Sequence, residues 1–232
     1  MAGGGLRSWG RRLAARFSLV CPSCGRRYGP SLGRWRCDCG SPLNIEKEVE
    51  GPVRLEGSGV WRYRPLLPLL GEPVSLGEGG TPLIERELLG VRALLKLEYL
   101  NPTGSFKDRG AAVMVSNLRA MGAGSVVIDS SGNAGVAVAA YCAAAGVRCR
   151  VYVPASAPRA KKLQILLHGA ELVEVGGPRS EVARRALEAV EGGEVYASHM
   201  WSPLFIEGLK TIAYECSEQA GAPDAVVVLS LI

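Results

Sequence analysis

The sequence predicts an α/β protein built on a four-stranded parallel sheet, with a small cysteine-rich ribbon ahead of it. Three observations carry that prediction. From residue 105 onward, apolar runs rich in β-branched residues alternate with Ala/Leu/Arg-rich segments of helical period, a pattern that lays consecutive strands side by side through right-handed crossovers. Glycines close the helical segments at Gly122, Gly146, Gly169 and Gly192, as tight helix–strand turns require. Cys21, Cys24, Cys37 and Cys39 cluster in two short pairs, apart from Cys142, Cys149 and Cys216 in apolar surroundings. The 232 residues are 47% hydrophobic, which is enough for one or two domains. A net charge of +5 is too weak and too scattered to argue for nucleic acid, and is compatible with an anionic substrate. No run is long and apolar enough to span a bilayer. An odd cysteine total in this spacing speaks against a secreted disulfide framework and for a reducing cytoplasm.

Residues 1–20 hold four arginines and no acidic side chain, with Leu6, Trp9, Leu13 and Phe17 at roughly helical spacing. They read either as a transit-type peptide or as a basic N-terminal extension. Residues 21–43 read as a zinc-ribbon-like segment. Each cysteine pair is followed by a glycine, Gly25 or Gly40, which suits knuckle turns that aim two thiolates at one metal. Four thiolates suit tetrahedral zinc and close the site, so the expected role is structural. The second pair is C-x-C rather than C-x-x-C, and a metal-free remnant of the ribbon is the other reading.

Residues 44–110 read as a connector and the first part of a larger domain. Within them Gly77-Glu78-Gly79-Gly80-Thr81-Pro82-Leu83 is a glycine-rich turn before a short strand, without the G-x-G-x-x-G pattern of a nucleotide loop. A strand over 94–97 is broken by Asn101-Pro102 and Gly104; Ser105 is the expected N-cap of a helix over 107–121. Residues 111–207 read as a small α/β domain, with strands over 125–129, 150–153, 171–175 and 194–197 and helices over 134–145, near 159–168, and over 180–190. Residues 208–232 begin the remainder of the large domain and include an expected strand over 226–228.

Two stretches carry chemistry. Lys107 falls in the first turn of its helix, where the macrodipole disfavours a positive charge. A lysine there is poorly placed for stability but well placed to be a neutral nucleophile, because its pKa should fall. The plainer alternative is a surface lysine beside Asp108. Ser130-Ser131-Gly132-Asn133-Ala134-Gly135 opens the next helix at the carboxyl end of a strand, where free amides and the positive dipole end form an anion site. An ordinary N-cap in a strand–helix turn is the plainer alternative here.

Taken together, Gly77–Leu83, the run Asn101-Pro102-Thr103-Gly104-Ser105-Phe106-Lys107-Asp108-Arg109-Gly110 and Ser130–Gly135 resemble the fold-type II pyridoxal-phosphate enzymes and, within them, the threonine synthases. Weaker support comes from residues 208–215, from Pro223-Asp224 and from the cysteine ribbon with Trp35-Arg36. The resemblance implies that Lys107 carries pyridoxal 5′-phosphate as a Schiff base and shuttles protons. It implies that Phe106 flanks the cofactor, that Asn133 hydrogen-bonds the pyridine 3′-oxygen, and that Ser131, Gly132 and Ala134 hold the substrate carboxylate. The implied reaction converts O-phosphohomoserine and water to threonine and phosphate. A small amino-acid substrate and a homodimer are also implied.

The sequence departs from this family's pattern in two places. Where the family follows the 226–228 strand with a glycine-rich loop that holds the cofactor phosphate, this chain reads Leu229-Ser230-Leu231-Ile232. On that basis the chain is expected to be C-terminally truncated, with an incomplete large domain, and could be inactive as a fragment. Phe205 stands where many threonine synthases place an arginine for the substrate phosphate, with His199 a conceivable replacement. This motivates an alternative substrate, as in a serine/threonine ammonia-lyase or another β-replacement enzyme. A non-catalytic zinc-ribbon interaction module and an inactive partner of an intact subunit complete the alternatives.

Overall fold

The computed structural model of the chain describes residues 17–49 and 51–228. It opens with a three-stranded antiparallel sheet of β1 (Phe17–Val20), β2 (Arg27–Tyr28) and β3 (Asn44–Lys47), ordered β2-β1-β3. Leu6, Trp9 and Leu13 of the expected basic extension lie outside the described residues. Phe17 is not helical, because its neighbours alternate: Phe17 and Leu19 are buried while Ser18 and Val20 are half-buried, the period of a strand. The ribbon's sheet therefore runs beyond the expected 21–43 at both ends. Lys47 fastens it to the connector by donating to the Pro65 and Leu67 carbonyls, both at 2.6 Å.

A 3-10 turn (Gly59–Leu66) precedes an antiparallel hairpin of β4 (Leu83–Leu88) and β5 (Val91–Lys96). Its two-residue turn, Leu89-Gly90, has both φ angles positive, 52° and 78°, matching the strand twist at the cost of placing a leucine in the left-handed region. The strand expected over 94–97 is thus the longer second arm of a hairpin.

The remainder alternates as expected: α1 (Lys107–Ala120), β6 (Ser125–Asp129), α2 (Asn133–Ala145), β7 (Arg148–Pro154), α3 (Arg159–Leu167), β8 (Glu171–Val175), α4 (Arg179–Glu191), β9 (Val195–Tyr196), α5 (Pro203–Leu209) and α6 (Thr211–Ala220). Strands β6 to β9 form one parallel sheet ordered β8-β7-β6-β9. Their side chains divide by period two. Val126, Ile128, Val151 and Val153 face a core shared with α1 and α2, while Val127, Tyr152, Val175 and Tyr196 meet Val182 and Ala186 of α4. Helices α1 and α2 are buried nearly all round, sandwiched between other elements; α2 is apolar beyond Asn133, while α1 also buries Asp108, Arg109, Ser116 and Asn117.

Helix α5 lies against α1, and Gly110 is what lets it approach: a Cβ there would sit 2.5 Å from the Phe205 ring. The strand expected over 226–228 is absent. Val226, Val227 and Val228 are exposed, and an isolated apolar run cannot form a strand without a ladder partner. No helix among the described residues is long and apolar enough to cross a membrane.

Candidate functional site

The topology assembles the site. A short turn joins α1 to β6, and another joins β6 to α2, so both helices run antiparallel to β6 and start at its carboxyl edge. Lys107 is the first residue of α1 and Asn133 the first of α2. The same edge receives Asp129 at the end of β6, Arg179 at the start of α4, and His199 just after β9, the neighbour of β6. An open depression of about 700 Å³, lined by Ser125, Arg148 and Glu171 among others, is at the opposite, amino edge of the sheet.

Lys107 is half-buried, with Nζ 4.1 Å from the centroid of the Phe106 ring. Burial pushes its pKa down, and no carboxylate among the described residues pairs with it. The pairing with Asp108 that a surface lysine would make does not occur. Asp108 is buried and accepts from the Thr103 N–H at 2.9 Å and the Thr103 hydroxyl at 2.8 Å, so it pins the loop that presents Lys107. Ser105 is not the N-cap: Phe106 holds that position with helical angles, and the Ser105 hydroxyl accepts from the Lys107 N–H at 3.3 Å.

In the second stretch Ser131 and Gly132 are half-buried, Asn133 is exposed and Ala134 is buried. The opening amides of α2, that of Ala134 among them, have no intrahelical acceptor. The Asn133 Oδ1 accepts from Lys161 Nζ at 2.7 Å. Beside this turn, Asp129 accepts from the Tyr196 hydroxyl at 2.7 Å and from Arg179 Nη2 at 3.1 Å; the same Nη2 donates to the Asp129 carbonyl at 2.6 Å.

His199 Nδ1 is buried without a partner. Burial, aided by the charges of Lys107 and Arg179 and opposed by Asp129, pulls its pKa down to about 4, so the ring is neutral. Phe205 is fully buried, its ring centroid 6.1 Å from that of His199, and it packs on Gly110 rather than facing the edge.

The sequence reading missed Arg109. It is fully buried inside α1 and forks onto two carboxylates: Glu98 at 2.7 Å through both Nε and Nη2, and Glu215 at 2.8 Å through Nη1 and Nη2. Lys96 Nζ and the Gly80 N–H also reach Glu215, at 2.8 and 2.7 Å. Burial raises the Glu215 pKa, but these donors outweigh it and hold it at about 2. One buried cation thus joins the glycine-rich turn at Thr81, the turn after the hairpin at Glu98, α1 and α6, and Lys96 of the hairpin meets the same Glu215.

The donor set at the edge fits an anionic pyridine aldehyde: a lysine amine with depressed pKa and no carboxylate partner, an aromatic ring beside it, and a helix N-terminus alongside. The four ribbon cysteines form a second constellation. Their sulfurs all lie within 4.8 Å of one another, with Cys21–Cys39 at 3.6 Å and Cys24–Cys37 at 3.5 Å. Two thiolates bound tetrahedrally to one zinc are separated by about 3.8 Å, so the set fits that ion. Gly25 and Gly40, at φ of 72° and 87°, donate back to the Cys21 and Cys37 carbonyls and close two knuckles, the C-x-C pair included.

A family model described as "Pyridoxal-phosphate dependent enzyme" matches residues 74–230, which contain Lys107, Asn133 and His199. The chain belongs to the pyridoxal-phosphate-dependent enzymes. Within this family it is similar to a protein named threonine synthase from Methanocaldococcus jannaschii, at 36% identity over 90% of this chain and 56% of that protein. Among solved structures it is similar to a pyridoxal 5′-phosphate-dependent aspartate racemase, at 34% identity and a TM-score of 0.55 over 60% of this chain and 46% of that one. It is also similar to the processed form of threonine deaminase isoform 2 from Solanum lycopersicum, at 31% identity and a TM-score of 0.56 over 60% of this chain and 40% of that one. These neighbours share the fold-type II architecture around the parallel sheet. The chain spans about half the length of the curated relatives it matches.

Proposed function

We propose that this chain carries the lysine half of a threonine-synthase site, acting on O-phosphohomoserine and water to give threonine and phosphate. The observation that carries the proposal is the extent of the likeness to the M. jannaschii threonine synthase. It covers 90% of the chain, too much to leave out the whole ribbon, whereas the racemase and deaminase likenesses cover 60%. On this reading Lys107 holds pyridoxal 5′-phosphate, Phe106 flanks it, and the Asn133 amide faces its 3′-oxygen. Ser131, Gly132 and Ala134 bind the substrate carboxylate through a hydroxyl and backbone amides at the start of α2. When bound, the cofactor supplies the electron sink for substrate carbanions. The protein contributes position and proton transfer: burial lowers the pKa of the unpaired Lys107 amine, which eases loss of its proton, and Nζ can take and return protons at adjacent substrate carbons.

The cysteine set is proposed to hold a structural zinc, supported by the convergence of its four sulfurs. The division into ribbon, connector, small domain (111–207) and large-domain segments (44–110 and 208–232) is proposed likewise, as are a cytoplasmic setting and a homodimer. A second substrate class is favoured by one observation. Phe205, where an arginine would meet a substrate phosphate, is fully buried. The test is turnover by the chain supplied with pyridoxal phosphate. Phosphate release from O-phosphohomoserine, abolished in Lys107→Ala, supports the proposal. Ammonia release from threonine or serine without phosphate release replaces it with the ammonia-lyase reading.

A further inference from the structure

We infer that Lys161 is a positioning residue that fixes the polarity of the Asn133 amide, so that its NH2 group and not its carbonyl faces the cofactor position. The inference rests on the proposed role of Asn133. Lys161 is in the first turn of α3, which follows β7 and so starts at the same carboxyl edge as α2. Its Nζ lies 2.7 Å from Asn133 Oδ1 and 3.0 Å from Gln164 Oε1. An ammonium can only donate, so the Asn133 atom that meets it must be the carbonyl oxygen. The Nδ2 donors then point away from Lys161, and no acceptor among the described residues takes them.

That orientation has a chemical consequence. The 3′-oxygen of a bound pyridine cofactor carries negative charge and needs a donor. An amide turned the other way would set oxygen against oxygen. Left to itself an exposed asparagine samples both orientations; with Lys161 in place only one is favourable. Gln164, one turn on, accepts from the same ammonium and holds it over Asn133. A lysine in the first turn of a helix works against the macrodipole, and no acidic side chain offsets it in that turn of α3.

The first test needs no cofactor. In ¹H–¹⁵N spectra of the chain, the Asn133 side-chain NH2 signals, assigned by their loss in Asn133→Ala, should move in Lys161→Ala and stay near their original positions in Lys161→Arg. Signals unmoved by Lys161→Ala overturn the inference. The second test adds pyridoxal phosphate and follows the pH midpoint of the visible band that depends on Lys107. Lys161→Ala should raise this midpoint by about one unit, the scale of one hydrogen bond to an anion. In an Asn133→Ala background the same substitution should leave it unchanged. An equal shift in both backgrounds overturns the inference, because Lys161 would then act through its own charge. If the unsubstituted chain shows no such band, the cofactor reading fails, and the amide signals still decide the contact.

Discussion

His199 shows most directly how burial at this edge sets chemistry. Its pKa falls from 6.5 to about 4 because the ring is desolvated between Lys107 and Arg179, with only Asp129 opposing. Between those values the unfolded chain binds a proton that the folded chain refuses. Stability is therefore fully present above pH of about 6.5 and is lost as pH falls toward about 4. His199→Gln should flatten the stability profile across that window in denaturant titrations, and an unchanged slope would contradict the burial argument. Gly110 offers a second check. Gly110→Ala places a methyl on the Phe205 ring and should cost about 1–3 kcal/mol, part of it recovered by Phe205→Leu in the same chain. Lys107 was legible in the sequence because a lysine at a helix start runs against the macrodipole. Arg109 was not, because an arginine between Asp108 and Gly110 looks like any solvated charge until its two carboxylates, distant in sequence, are brought to it.

Among the elements, the four parallel strands were legible from their β-branched runs, and two of the helices that follow them, α2 and α4, end one residue before the glycines that close them. The hairpin was only half legible: Leu89-Gly90 lacks the Asn-Gly or Asp-Gly that normally marks such a turn. The ribbon's central strand β1 was missed because Phe17 fits both a helical and an alternating pattern, and only pairing with β3 decides between them. The Arg109 fork holds these elements to one another. Arg109→Ala would leave half-buried Glu98 without its cation and buried Glu215 with Lys96 alone, and should cost about 3 kcal/mol, read from denaturant midpoints. In the ribbon, removing metal with a chelator should strip hydrogen-exchange protection from β1 to β3 while β6 and β7 keep theirs. Protection that survives chelation would favour the metal-free reading of the four cysteines.

For the whole molecule, the sheet places a half-buried lysine without a carboxylate partner, a helix N-terminus and a neutral histidine on one edge, and the Arg109 fork ties α1 to Glu98 and to α6. The match covers 56% of the two methanogen relatives named threonine synthase. The exposed run Val226–Val228 marks where apolar surface has found no partner within the described residues. Sequence alone could not say how much of the cofactor's grip these residues provide, because the anchoring depends on groups gathered from separate elements. The most direct measurement is to mix the chain with pyridoxal phosphate, reduce with borohydride and map the added mass by peptide mass spectrometry. The account predicts a visible band before reduction and a single label on the peptide bearing Lys107, both lost in Lys107→Ala. No band, or a label spread over exposed lysines and unchanged by Lys107→Ala, would contradict it.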